Sequence, residues 1–179
     1  MIASIVIGIA VLIALFVTFV ATRPTDFRVT RSAIMTAPAA VVFAQVNDLR
    51  KWEAWNPWGK MDPTCKMTYN GLAAGVGAGY AWAGNGKVGE GRMTITESRP
   101  SELIQLKLEF LKPFKANNTA EFIFKTESNQ TTVSWSMFGK KNFMFKAMGL
   151  FMDTDKMVGK DFEKGLADLK VVAEAASAK

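Results

Sequence analysis

An α+β fold is predicted for this chain: a curved antiparallel sheet closed by one long C-terminal helix, the whole preceded by a single membrane-spanning helix. Three observations predict it. Residues 2–22 are an unbroken apolar run, residues 27–34 and 80–138 fall into short alternating stretches between turn residues, and residues 156–174 repeat apolar side chains at helical spacing. A length of 179 residues fits one domain, and 49% hydrophobic residues supply its core. The expected organisation is an anchor over residues 1–22 and one globular domain over residues 23–179.

The apolar run contains neither a charge nor a proline. About 21 residues rising roughly 1.5 Å each reach about 31 Å, the thickness of the hydrocarbon core of a bilayer. A cleaved signal would show a basic start, a shorter apolar stretch and a small-x-small site, whereas only Met1 precedes this run, so a retained anchor is expected. Arg23, Arg28 and Arg31 follow closely, which by the positive-inside rule places the domain in the cytoplasm.

All 22 Lys and Arg and all 16 Asp and Glu lie beyond the run, so the domain carries the whole net charge of +6. A basic domain on a tether is drawn to anionic headgroups. The lysines are dispersed and no nucleic-acid motif accompanies them, so nucleic acid is not the expected partner. The single cysteine, Cys65, excludes an intramolecular disulfide framework and a multi-cysteine metal site. With no histidine, the Ser-His and Cys-His nucleophiles and the usual zinc and non-haem iron sites are excluded too; neither metal nor cofactor is expected. Any chemistry must run on carboxylates, lysine, tyrosine or bound water.

In chain order, residues 27–34 read as a first strand, ended by Thr36-Ala37-Pro38. Pro38 suits a helix start, and Val42, Phe43 and Val46 have helical spacing over residues 39–46. Asn47-Asp48 stops that helix and caps a shorter one. Then come Trp52, Trp55 and Trp58, three of the five tryptophans, in a segment broken by Asn56-Pro57. Such density reads either as a core plug or as the wall of an apolar ligand cavity.

Gly84-Asn85-Gly86-Lys87-Val88-Gly89 matches G-x-G-x-x-G, but residues 88–97 alternate as a strand where a dinucleotide site needs a helix, so a hairpin turn after residues 80–83 is expected. Three further strands follow. Ile104, Leu106, Leu108 and Phe110 share one face of the first, Ala120, Phe122 and Phe124 one face of the second, and Val133, Trp135 and Met137 one face of the third. Residues 140–152 hold Phe143, Met144, Phe145, Met148, Phe151 and Met152 among Lys140, Lys141 and Lys146; this reads as a helix covering the core edge or as a segment suited to a membrane surface. In the last helix Val158, Phe162, Leu166, Leu169 and Ala173 form the buried stripe, opposite Lys156, Lys160, Glu163, Ala167 and Lys170. Gly165 within the stripe implies a close neighbour, either a strand or a ligand.

The chain resembles the START-like (SRPBCC) superfamily, and more closely its polyketide cyclase/dehydrase and lipid-transport branch. The resemblance rests on Ala37-Pro38, Val42-Phe43, Trp55-Asn56-Pro57-Trp58, Trp82-Ala83-Gly84-Asn85 leading to Gly89-Glu90-Gly91, Thr131-Thr132-Val133-Ser134-Trp135 and Phe162-Glu163-Lys164-Gly165-Leu166, and it covers nearly all of residues 26–174. It implies the helix-grip fold, with a deep apolar cavity between the sheet and the C-terminal helix, in a family that binds lipids, sterols, polyketides or hormones and in part catalyses cyclisation. The favoured reading is a membrane-anchored module holding a hydrophobic small molecule or lipid near Trp55, Trp58, Tyr80, Trp82, Phe110, Phe124, Trp135 and Gly165. Two alternatives accompany it. One is a cyclase- or dehydratase-like enzyme with Glu53 or Glu90 as base, among the polar residues Asn56, Tyr80 and Arg92; the other is a tethered interaction domain whose cavity its own side chains fill.

Overall fold

A computed structural model describes residues 2–178. Helix α1 (Ile2–Ala21) is exposed along its length apart from Val20. The domain follows as β1 (Asp26–Met35), α2 (Ala39–Asn47), two 3-10 helices (Leu49–Ala54 and Trp58–Lys60), then β2 (Lys66–Asn70), β3 (Gly79–Ala83), β4 (Glu90–Arg99), β5 (Leu103–Lys112), β6 (Ala116–Glu127) and β7 (Gln130–Lys140), and finally α3 (Phe143–Met148) and α4 (Thr154–Ser177).

The seven strands form one antiparallel sheet in the order β1-β7-β6-β5-β4-β3-β2. Short hairpins join β2 to β7, while β1 crosses over to pair with β7, Asp26 opposite Lys140 and Met35 opposite Thr131. A register shift between Ile95 and Glu97 leaves Thr96 as an extra residue on β4, and such bulges bend and twist a strand. The expected Gly84-Asn85-Gly86 turn is present: Lys87 N donates to Asn85 Oδ1 at 2.9 Å, and Asn85 N donates to Asp62 Oδ2 at 2.7 Å. β2 is the strand that the sequence did not locate. It alternates over only five residues, with Met67 and Tyr69 turned inward at the sheet's edge, too short a run to stand out.

Helix α4 lies across the concave face, and its stripe is buried as expected, with Phe162, Leu166, Leu169 and Ala173 at 1% exposure or less. Asp153 caps it by accepting a hydrogen bond from Lys156 N at 3.1 Å. Its N-terminal end is pinned to β1 through Arg31, which donates to Asp155 at 2.9 Å and Glu163 at 2.7 Å. The C-terminal half packs on α2. Between them, Trp52 and Trp55 lie 4.6 Å apart with their planes tilted by 46° and meet Phe122 and Trp135 edge-on, plugging the core beneath α2.

An apolar cavity between the sheet and the C-terminal helix

The packed core fills only one end of the space under α4. Toward the other end the sheet curves away and leaves a cavity of about 1340 Å³. Pockets for drug-sized molecules run to about 300–1,000 Å³, so this one accommodates a long acyl chain or several fused rings. Inward residues of the strands form its wall: Tyr80 and Trp82 from β3, Met93 from β4, Leu108 and Phe110 from β5, Asn118 from β6, and Trp135 and Met137 from β7. Met157, Val158, Asp161 and Phe162 of α4 close the opposite side, with Trp58 and Met61 at one flank and Phe145, Met148 and Met152 at the end.

Aromatic geometry makes this wall rigid. Tyr80, Trp82 and Phe110 run edge to face at 6.1 and 5.8 Å. Gly91 stands opposite Trp82 in the register, and a Cβ there would strike the indole ring, so glycine is what lets the ring lie against the sheet. Trp135 stacks on Phe162 at 4.1 Å with the planes 7° apart, and Trp58 caps both edge-on at 5.7 and 6.2 Å.

Few polar groups interrupt the lining. Burial raises the Tyr80 phenol well above its ordinary pKa, a shift that hydrogen bonding to Asn56 only partly offsets. Tyr80 therefore faces the cavity as a neutral hydroxyl. Burial likewise pushes the Asp161 carboxyl up, against a hydrogen bond from Trp58 that favours its charged form. Asn118 Oδ1 and Trp135 Nε1 are buried without a hydrogen-bond partner among the described residues. The rim is basic, with Lys60, Lys87, Lys112, Lys140, Lys141, Lys156 and Lys160 against Glu53, Asp62, Asp153 and Asp161.

Of the eight residues expected at a ligand site, Trp58, Tyr80, Trp82, Phe110 and Trp135 line the cavity and three do not. Trp55 is fully buried behind Trp135, its indole donating to Gln45 O at 3.3 Å. Phe124 faces inward as expected, but at the end of β6 that α2 covers, where it meets Phe43 at 5.6 Å. At Gly165 a Cβ would lie 2.7 Å from Trp135 Cζ3 and 3.1 Å from Pro57 Cδ. The close neighbour is thus a strand side chain and a proline, not a ligand.

Among the polar residues, Asn56 belongs to the lining. Glu53 sits exposed at the rim, accepting from the Tyr69 hydroxyl at 2.9 Å, and burial together with that bond pushes Tyr69 up to about 12. Glu90 lies outside the lining and pairs with Lys112 at 2.8 Å, and Arg92 turns to the outer face, paired with Glu109 at 2.8 Å. Glu90 is therefore misplaced for a base in the cavity. The acid that does face it, Asp161, was hidden in the charged pattern of α4; its position three residues beyond Val158, beside the stripe, is the one sequence signal that marks it.

A family model described as polyketide cyclase / dehydrase and lipid transport matches residues 26–174. No curated protein matches the sequence. Among solved structures the chain is similar to protein CV1439 from Chromobacterium violaceum, with 15% identity over 85% of this chain and 99% of that one and a TM-score of 0.59. It is similar to the Aha1 dimer from Colwellia psychrerythraea, with 16% identity, coverage of 83% and 96% and a TM-score of 0.56. It also resembles the di-domain ARO/CYC StfQ from the steffimycin biosynthetic pathway, at 10% identity and a TM-score of 0.61, covering 87% of this chain and 53% of that one. At such identities the likeness is one of fold.

Proposed function

This chain belongs to the polyketide cyclase / dehydrase and lipid transport family, and from that premise we propose that it is a membrane-anchored binding module holding a hydrophobic small molecule, a lipid taken from the bilayer, between its sheet and α4. The observation that carries the proposal is the cavity itself, about 1340 Å³ walled by aromatic rings and methionines that leave it open. Each methylene buried there is worth about 0.8 kcal/mol, so an acyl chain alone supplies ample binding energy. Trp58, Tyr80, Trp82, Phe110 and Trp135 grip the apolar body, and the Tyr80 hydroxyl and Asn118 amide orient its polar groups. Residues 1–22 anchor the module: α1 has 20 residues and a mean hydropathy of 2.9, long and apolar enough to cross a membrane. Arg23, Arg28 and Arg31 favour a cytoplasmic domain over residues 23–179.

Native mass spectrometry of the protein purified from its own cells, followed by denaturing extraction, tests this reading. A discrete added mass that extracts as an apolar compound is expected. A bare protein that also ignores a panel of lipids would overturn it.

Asp161 supports a second reading, a cyclase- or dehydratase-like enzyme in the same cavity. It is among the residues lining the apolar cavity, and burial raises its carboxyl above the ordinary value. On this reading Asp161→Asn abolishes turnover while leaving ligand affinity intact; turnover that survives the change removes the basis for it.

A further inference from the structure

The cavity reaches the end of the sheet that carries Phe27, Lys140 and Lys141, and the tether turns that end toward the bilayer. Only residues 22–25 separate α1 from β1, so Asp26 lies within roughly 18 Å of Ala21. At that same end Asp26 pairs with Lys140, and Lys141 N donates to Thr25 O at 2.7 Å. Helix α3 packs directly beside α1. Val20 is buried, and Lys146 Nζ donates to the carbonyl oxygen of Ala21 at 3.3 Å. This holds α3 level with the end of the apolar span, the depth at which hydrocarbon gives way to headgroups.

The segment around α3 has two apolar faces. Phe145, Met148 and Met152 line the end of the cavity, and Phe145 also meets Phe114 at 6.1 Å. Phe143, Met144 and Phe151 face away from the core, exposed at 46%, 49% and 83%. Large apolar side chains clustered in the open mark a surface made for an apolar partner. Around them stand Arg23, Lys115, Lys140, Lys141 and Lys146, none paired with a carboxylate among the described residues. Asp26, Asp153 and Asp155 also stand beside Phe151, but Asp153 is paired with Lys156 and Asp155 with Arg31. The exposed aromatics and methionines thus keep a surplus of unpaired cations, the complement of an anionic bilayer surface.

We propose that this lip rests in the headgroup layer of an anionic leaflet, with Phe143, Met144 and Phe151 dipped to the acyl boundary and the lysines on phosphates, so that the cavity mouth opens onto lipid. The inference rests on the anchored-module reading and deepens it: the ligand enters from the leaflet, past Phe145 and Met148, without crossing water.

The test uses the full chain in vesicles of phosphatidylcholine and phosphatidylglycerol, with Cys65→Ser removing the native thiol and a bimane label at Phe151→Cys. A second label at Glu127→Cys, at the opposite end of the sheet, serves as reference. Brominated lipids are expected to quench the label at 151 at least about fivefold more than the one at 127, as for a group buried at the acyl boundary. The difference should shrink, down to what the tether alone maintains, when phosphatidylglycerol is omitted, and also when Lys140, Lys141 and Lys146 are changed to Glu. Protein that floats with the vesicles while the label at 151 stays unquenched overturns the lip and leaves the anchor standing. A label that is blue-shifted yet unquenched also overturns it, since a protein partner or a second copy then covers the patch. Protein that does not float at all overturns the anchored reading, and the lip with it.

Discussion

Trp135 sits where packing and cavity meet, stacked on Phe162 at 4.1 Å and on Phe122 at 4.9 Å, and Gly165 is the residue that admits it. A methyl group at position 165 would lie 2.7 Å from the indole and 3.1 Å from Pro57, neither of which can swing clear. Gly165→Ala is therefore expected to destabilise the domain by about 1–3 kcal/mol despite its better helix propensity, because overpacking outweighs it. Urea melts read this directly, and unchanged or raised stability would show that α4 yields to the added methyl. On the outer face, Glu109 is held near a pKa of about 2, first by the hydrogen bond from Arg92 and then by that from Lys107, against an ordinary value of 4.5. The folded state thus holds its charge to lower pH than the unfolded chain does. The stability this contributes is full above about 4.5 and is lost as pH falls toward about 2. In Glu109→Gln the fall of melting temperature between those values should be shallower; an identical slope would mean that solvent screens the pair.

At the scale of elements, α4 does two jobs along its length. Its N-terminal half roofs the cavity with Val158, Asp161 and Phe162, while Leu166, Leu169 and Ala173 complete the core over α2. Leu169→Ala is expected to cost roughly 2–5 kcal/mol, since the tryptophan plug and α2 leave little room for collapse, and a loss under half of that lower bound in denaturant melts would remove Leu169 from the core. This helix was plain in the sequence because its stripe follows a single period, and the hairpins β3 to β7 were plain because turn residues separate alternating runs. β2 was less so, with two inward residues at the edge. The cavity wall was legible only by type. Alternation told which way Phe124 and Trp135 point, but not how far along each strand α2 lies, so Phe124 was assigned to the cavity with the same warrant as Phe110. The tryptophans of residues 52–58 divided between both readings: Trp55 plugs the core, Trp52 plugs it and also borders the cavity, and Trp58 flanks the cavity. Asp161 was hard to single out because its only mark in the sequence is a place beside the apolar stripe of α4, which other charged residues of the helix share.

The whole molecule is packed at one end and hollow at the other. Under α2 the side chains of Val42, Val46, Trp52, Trp55 and Phe122 are 1% exposed or less, whereas toward α1 the walls stand apart around about 1340 Å³. A wall without neighbours loses dispersion contacts, so the hollow end is the less stable half, and a ligand that fills it completes the core. A ligand at a hundredfold its dissociation constant adds about 2.7 kcal/mol, provided it binds only the folded state. With about 2–4 °C per kcal/mol for a chain of this size, the melting temperature should rise by roughly 5–11 °C. The near-UV signal of the tryptophans reports it, since Trp58, Trp82 and Trp135 stand on the wall. Trp82→Ala, which removes the ring between Tyr80 and Phe110, should weaken the affinity at least about tenfold and cut the shift at the same ligand concentration by roughly 1.4 kcal/mol of stabilisation. If every bound lipid shifts the Trp82→Ala protein as far as the parent, the aromatic wall is not where the ligand sits.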